Sequence, residues 1–279
     1  MIDNKFRKNK IKKRVRRIHT DHHQDHIVEE IDIRDTVDIA EDLPTDVYLE
    51  DHSIDSKGKK NIPHVEHKLR HRLVVVPEAI YEASGIMVLG KRIKSLLFTT
   101  DIAIIKNSNA DAIIAVYPFT PQLSITQAII NTASVPVFTG VGGGTTTGVR
   151  SVNIALQAEL MGAYGVVVNS PMSNPMITSV SSMLDIPVVA TISSEKDDYI
   201  GKIRAGAQIL NVSGGKYTAD LVKKIRKEVG DDFPIIATGG PTDESIQETI
   251  RAGANAITYT PPTSADIFAS VMEEYRSRK

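Results

Sequence analysis

Few side chains in this chain can do chemistry. From Arg72 onward there is no histidine, and the whole chain has no cysteine. A Ser-His-Asp triad, Cys-His chemistry and a histidine-zinc site are therefore excluded from that region. Asp101, Tyr117, Glu195, Asp197, Asp198 and Lys216 remain for proton transfer. Asp101, after "LLFTT", can act as a base or bridge a magnesium ion to a bound phosphate. Lys216, at the end of "NVSGGK", can transfer a proton or place a point charge on an anion. Each has a second reading: Asp101 as the cap of the next helix, the acids of "SSEKDD" as first-turn residues, and Lys216 as a solvated lysine.

Three glycine-bearing loops stand beside these residues. "FTGVGGGTTTG" packs five glycines into residues 138–148. Ordering Gly142, Gly143 and Gly144 costs backbone entropy and adds no side chain to a core, so the run points to close approach of a ligand. Thr145 then leads toward a helix start, whose free N–H groups attract anions. A mobile surface loop is the alternative. Gly214 and Gly215 in "NVSGGK", and Gly239 and Gly240 in "ATGGPTDES", let backbone N–H groups approach a phosphate in the same way. Thr242 and Asp243 read as helix caps.

These loops are placed by an alternation of short apolar runs and helix-period segments. The strands read "IKSLLFTT", "DAIIAVYP", "PVFTGV", "GVVVNS", "PVVATIS", "QILNVSG", "PIIATGG" and "AITYTPP", with segments such as "TADLVKKIRKEVG" between them. Near-continuous Val and Ile in short strands separated by helices predicts a parallel sheet covered by helices, and eight units predict a single (βα)8 barrel. A doubly wound open sheet is the runner-up. "VPVF", "IPVVAT" and "FPIIAT" recur, interleaved with "MGAYGVVV", "AGAQILNV" and "AGANAITY", so the barrel reads as four two-unit quarters. Gly162, Gly206 and Gly253 are the expected helix stops. In such a barrel, sites form from the loops after the strands.

The segment "PIIATGGPTDESIQETIRAGANAITYTPP" resembles the last two strands of the phosphate-binding (βα)8 barrels, namely the thiazole synthase, N-acetylmannosamine-6-phosphate epimerase and glycerol-operon antiterminator-like families. That resemblance implies a phosphate held by Gly239 and Gly240. The loop after the last strand departs from the pattern, since Pro261 and Pro262 supply no N–H donor. The strand-borne lysine used by the epimerase and synthase families has no counterpart at the right end, because Lys94 opens its strand. Residues 85–279 are also similar to a little-characterised bacterial barrel family often labelled "hydrolase".

Composition sets the remaining bounds. The chain has 279 residues, 41% hydrophobic and 24% charged, with a net charge of −1. Absence of cysteine, of an apolar run of about 18 residues and of an apolar segment after the basic start predicts a cytoplasmic protein. Residues 5–17 carry nine Lys or Arg, and residues 18–55 carry thirteen Asp or Glu against Arg34 alone. Residues 1–70 are therefore expected to be a charged, partly disordered extension and 71–279 the barrel. All eight histidines lie in or at the edge of the extension, the last being His71, and His19 and His23, and His22 and His26, are spaced as possible metal pairs or as a solvated tail. The expected partner is a small phosphorylated metabolite. A homo-oligomer is possible, and nucleic acid only through residues 5–17. Two functions follow: a hydrolase, lyase or isomerase of that metabolite, or a non-catalytic barrel that binds it and signals through the extension.

Overall fold

The computed structural model describes residues 74–277. The charged extension, its basic run and its histidine pairs lie outside the described residues. Eight parallel strands close into a barrel: β3 (Ser95–Phe98), β4 (Ala112–Ala115), β5 (Val137–Gly142), β6 (Gly165–Val168), β7 (Val188–Ile192), β8 (Ile209–Val212), β9 (Ile235–Thr238) and β10 (Ala256–Tyr259), with β10 pairing back onto β3. Helices follow each strand: α1 (Ile102–Lys106), α2 (Leu123–Thr132), α3 (Val149–Leu160), α4 (Asn174–Ser181), α5 (Tyr199–Arg204), α6 (Thr218–Val229), α7 (Asp243–Arg251) and α8 (Ser264–Ser277). Gly162, Gly206 and Gly253 end the helices before β6, β8 and β10 at φ of 98°, 111° and 113°, a region that favours glycine. Among the described residues no helix is long and apolar enough to cross a membrane.

Alternation along each strand sorts side chains into two cores. Leu97, Ile113, Val137, Val166, Val188, Leu210, Ile235 and Ile257 face the helices. Leu96, Ala112, Ile114, Phe138, Val167, Val189, Ile209, Ile236 and Ala256 fill the barrel. Gly165 is required in this filling, because a Cβ there would lie 2.6 Å from the Phe138 ring. An antiparallel hairpin, β1 (Ile86–Val88) with β2 (Lys91–Ile93), precedes the barrel and was not read as strands from the sequence. Its Ile86, Val88 and Ile93 join the interior core and seal the N-terminal end.

The quarter repeat reappears as hydrogen bonding at that sealed end. The residue before an even-numbered strand accepts, through its side chain, an N–H from the start of the strand before it. Asp111 Oδ2 accepts from Lys94 N at 2.8 Å, Gln208 Oε1 from Val188 N at 3.0 Å and Asn255 Oδ1 from Ile235 N at 2.9 Å. Tyr164 holds the equivalent place before β6 and pairs through its backbone N–H, which donates to Val137 O. Arg226 completes the last quarter. Its guanidinium donates to Gly253 O, Gly230 O, Phe233 O and Asn255 Oδ1 at 2.6–3.1 Å.

The outer ring is irregular at its closure. Residues 74–83 bring Val76, Ala79, Ile80 and Ala83 into burial; Val76, Ala79 and Ile80 join the same core as Leu97, Ile104, Ile105 and Ile257. Val74 N donates to Asn107 O just after α1, and Gln247 on α7 donates to Glu82. This strap covers the ground between α7 and α1, and α8 has no buried residue.

Candidate functional site

The C-terminal face differs from the sealed one because the inward alternation turns polar there. Beyond the apolar filling, the inward face carries Phe98, Val116, Gly140, Asn169, Thr191, Asn211, Ser213, Thr238, Thr258 and Thr260. No Asp, Glu, Lys or Arg occupies an inward position of the eight strands. The polarity is also one-sided. Phe98, Ile114, Val116, Gly140 and Val167 make the β3–β6 wall largely apolar, with Asn169 its one amide, whereas Thr191, Asn211, Thr238 and Thr258 make the β7–β10 wall a field of hydroxyl and amide groups.

That field is incompletely satisfied. Asn211 Nδ2 donates to Thr191 Oγ1 at 3.5 Å, and Thr238 Oγ1 donates to Ser213 Oγ at 3.2 Å. Asn211 Oδ1 and Thr258 Oγ1 have no partner, although their residues are only 9% and 6% exposed. An unpaired buried polar atom costs about 1–3 kcal/mol, so two in one wall are a cost the fold alone does not explain. Thr139 Oγ1 and Ser151 Oγ are similarly unpaired, but Thr139 lies on the helix-facing side of β5.

Around the rim the carboxylates are committed. Asp101 caps α1, its Oδ1 accepting from Ala103 N and Ile104 N, while Oδ2 accepts from Ser264 N and Ser264 Oγ at the start of α8. Partial burial raises its pKa, but the Ser264, Ile104 and Ala103 bonds outweigh it and hold the carboxyl below the usual range. Asp197 gathers the ends of β6 and β7. Ser170 Oγ donates to its Oδ1 at 2.8 Å, and Oδ2 accepts from Ser193 N, Ser194 N and Ser193 Oγ at 2.7, 3.0 and 3.1 Å. Burial again opposes these bonds and is outweighed, so Asp197 too is held low. Buried Lys202 donates to Ser170 O and Met172 O at 2.8 Å, fixing the same loop, and desolvation lowers its pKa against the pull of Asp197 and Asp198. Asp198 caps α5, and Glu195 pairs with Lys224 at 3.0 Å.

The glycine loops are at this face, and most of them have a packing reason. A Cβ on Gly142 would lie 2.4 Å from Ser151 Oγ and 2.5 Å from Thr146 O, and one on Gly143 would lie 2.6 Å from Asn169 N. The loop folds on itself, Gly143 N donating to Thr146 O, so close approach here is of the chain to its own backbone. Gly144 and Thr145 are exposed at the tip. Gly239 seats α7 on β10, where a Cβ would meet Ile246 and Ile257 at 2.7 Å, and Gly240 has φ 83°. Thr242 is the N-cap of α7, in a box with Ser245, and Asp243 is the first helical residue. The N–H of Gly214 is taken by Thr218 Oγ1, while Gly215, at φ 62°, faces open space. Lys216 is exposed, with Nζ 4.9 Å from the Tyr217 ring centre. The Tyr117 hydroxyl accepts from Gln122 N at 2.8 Å. Lys94 sits at the opposite end and donates to Tyr81 O.

No protein-family model matches the chain, and no curated protein matches it. Solved structures do match in fold. They include 2,3-dimethylmalate lyase, a PEP mutase/isocitrate lyase superfamily member, at a TM-score of 0.53 and 12% identity over 72% of this chain and 84% of that one. Oxaloacetate acetylhydrolase with its product oxalate matches at 0.53 and 12%, over 67% and 82%. Phosphonopyruvate hydrolase with oxalate and Mg2+ matches at 0.50 and 15%, over 67% and 82%. These are not the thiazole synthase, epimerase or antiterminator-like families that the strand-seven segment resembles. At such identities the common ground is the closed eight-stranded barrel.

Proposed function

We propose that the protein is an enzyme acting on a small phosphorylated or carboxylate-bearing metabolite held in the C-terminal mouth of the barrel. One observation carries the reading: the barrel interior turns polar at this end only, and two of its polar groups are buried without partners. The names of the neighbouring structures, a phosphonopyruvate hydrolase, a dimethylmalate lyase and an oxaloacetate acetylhydrolase, are consistent with it. Lys216, exposed after β8, is assigned to the anionic group, with Gly215, whose α-carbon faces open space, beside it. Asp101 and Asp197 each accept from a hydroxyl group, that of Ser264 and that of Ser193 at 3.1 Å, and these two pairs are assigned to proton transfer.

Mg2+ does not fit the donors of this mouth. It binds through one or two carboxylates that keep oxygens free for the metal. The inward positions offer only neutral oxygens, and Asp101 and Asp197 spend theirs on internal bonds.

The committed carboxylates also favour a second reading, a non-catalytic barrel that binds the metabolite and signals. A thermal-shift screen against phosphate, sugar phosphates, nucleotides and small carboxylic acids tests both. A ligand at about a hundred times its Kd stabilises by about 2.7 kcal/mol, or about 5–10 °C in a domain of this size. A hit that is turned over by wild type and only bound by Asp197→Asn supports the enzyme; a hit that wild type never converts supports the regulator. No shift with any anion removes both.

A further inference from the structure

We propose that the β7–β10 wall is a hydroxyl-reading surface: Asn211 and Thr258 recognise an uncharged, hydroxyl-bearing part of the ligand without a divalent metal, and the β3–β6 wall takes its hydrocarbon. The inference rests on the reading that the mouth holds a small anionic metabolite, and it says which way round that metabolite sits.

The argument starts from the unpaired atoms. Asn211 Oδ1 needs a donor, and Thr258 Oγ1 pairs with a donor or an acceptor; a hydroxyl group, which is both, suits either atom. Thr191, Ser213 and Thr238 continue the same field, and each is itself a hydroxyl. A phosphate or carboxylate pressed against this wall would lose its water and meet no positive charge, since no inward position carries Lys or Arg. The charged end of the ligand must therefore lie outward, at the rim where Lys216 stands. Across the mouth Phe98, Ile114, Val116 and Val167 offer nothing to a hydroxyl, and Asn169, past the end of β6, is the one amide on that side. Gly140 widens that wall, because a Cβ there would come within 3.2 Å of Val116.

The arrangement selects hydroxylated anions over deoxygenated ones of equal length. Calorimetry of the full chain in EDTA tests this, using polyol phosphates of three to six carbons, each paired with the alkyl phosphate of the same length, the free polyols, and oxalate with and without Mg2+. The expected result is at least tenfold tighter binding of a polyol phosphate than of its alkyl partner. Thr258→Val and Asn211→Leu should bring that ratio to about one, while Thr258→Ser, which keeps the hydroxyl, preserves it and controls for misfolding. Equal affinity for polyol and alkyl phosphates overturns the inference and leaves the phosphate reading standing. A free polyol binding as tightly as its phosphate does the reverse. Failure of every polyol to bind, or binding of oxalate only with Mg2+, overturns the inference.

Discussion

The two ends of this barrel treat polar groups in opposite ways. At the N-terminal end Asp111, Gln208, Asn255 and Arg226 are bonded to backbone, and a hairpin closes the interior above them. At the C-terminal end Asn211 and Thr258 are buried unpaired within a neutral wall. The polar residues of the sealed end hold the fold together, and the two unpaired ones in the wall of the open end weaken it. The sign of a polar-to-apolar substitution should therefore tell the two apart.

The largest effect is expected at the paired end. Arg226→Leu leaves three carbonyls and Asn255 Oδ1 without their charged donor, and urea denaturation should show a loss of about 3 kcal/mol or more. A neutral result there would break the contrast. Next, Gly165→Ala forces a methyl into the Phe138 ring and should cost about 1–3 kcal/mol by the same measurement. Thr258→Val should do the opposite, raising stability by about 1 kcal/mol as an unsatisfied hydroxyl is removed, while abolishing the preference for hydroxylated ligands. A gain in stability with binding unchanged would make the wall a packing accident. The acid limb of stability gives a smaller signal. Asp101 and Asp197 are held below their unfolded pKa, so their contribution is complete above about pH 4 and fades as pH falls through the lower folded values. Asp101→Asn should flatten that limb in acid titration followed by circular dichroism. Lys216→Ala should change stability by less than about 0.5 kcal/mol and weaken only anionic ligands.

Much of the barrel is legible in the sequence because its period is robust. Each "PVV"-like run is a strand buried on both faces, and each "AGA" run ends a helix in the same backbone conformation. The hairpin and the strap at 74–83 escape notice because three-residue strands and a short turn carry too little periodicity. The glycine run is ambiguous for a different reason. Glycine permits approach without saying of what, and only the built neighbourhood shows Gly143 against Asn169 rather than against a ligand. Asn211 was within reach of sequence reasoning. In "QILNVSG" it is, with Ser213, polar and in phase with inward Ile209, a parity signal that a search for charged or glycine-rich motifs passes over. The Asp197 cluster was not, since Ser170 and Asp197 meet from different strands and their separation in sequence says nothing of it.

The hairpin that seals the lower end has a kinetic consequence. A vessel closed at its base has a single doorway, so any ligand must leave along the path by which it arrived. Entry and exit then cannot overlap in time. Under the enzymatic reading we propose, product should compete directly with substrate for the empty protein, and slow departure through that doorway, rather than bond making, should set the pace of the cycle.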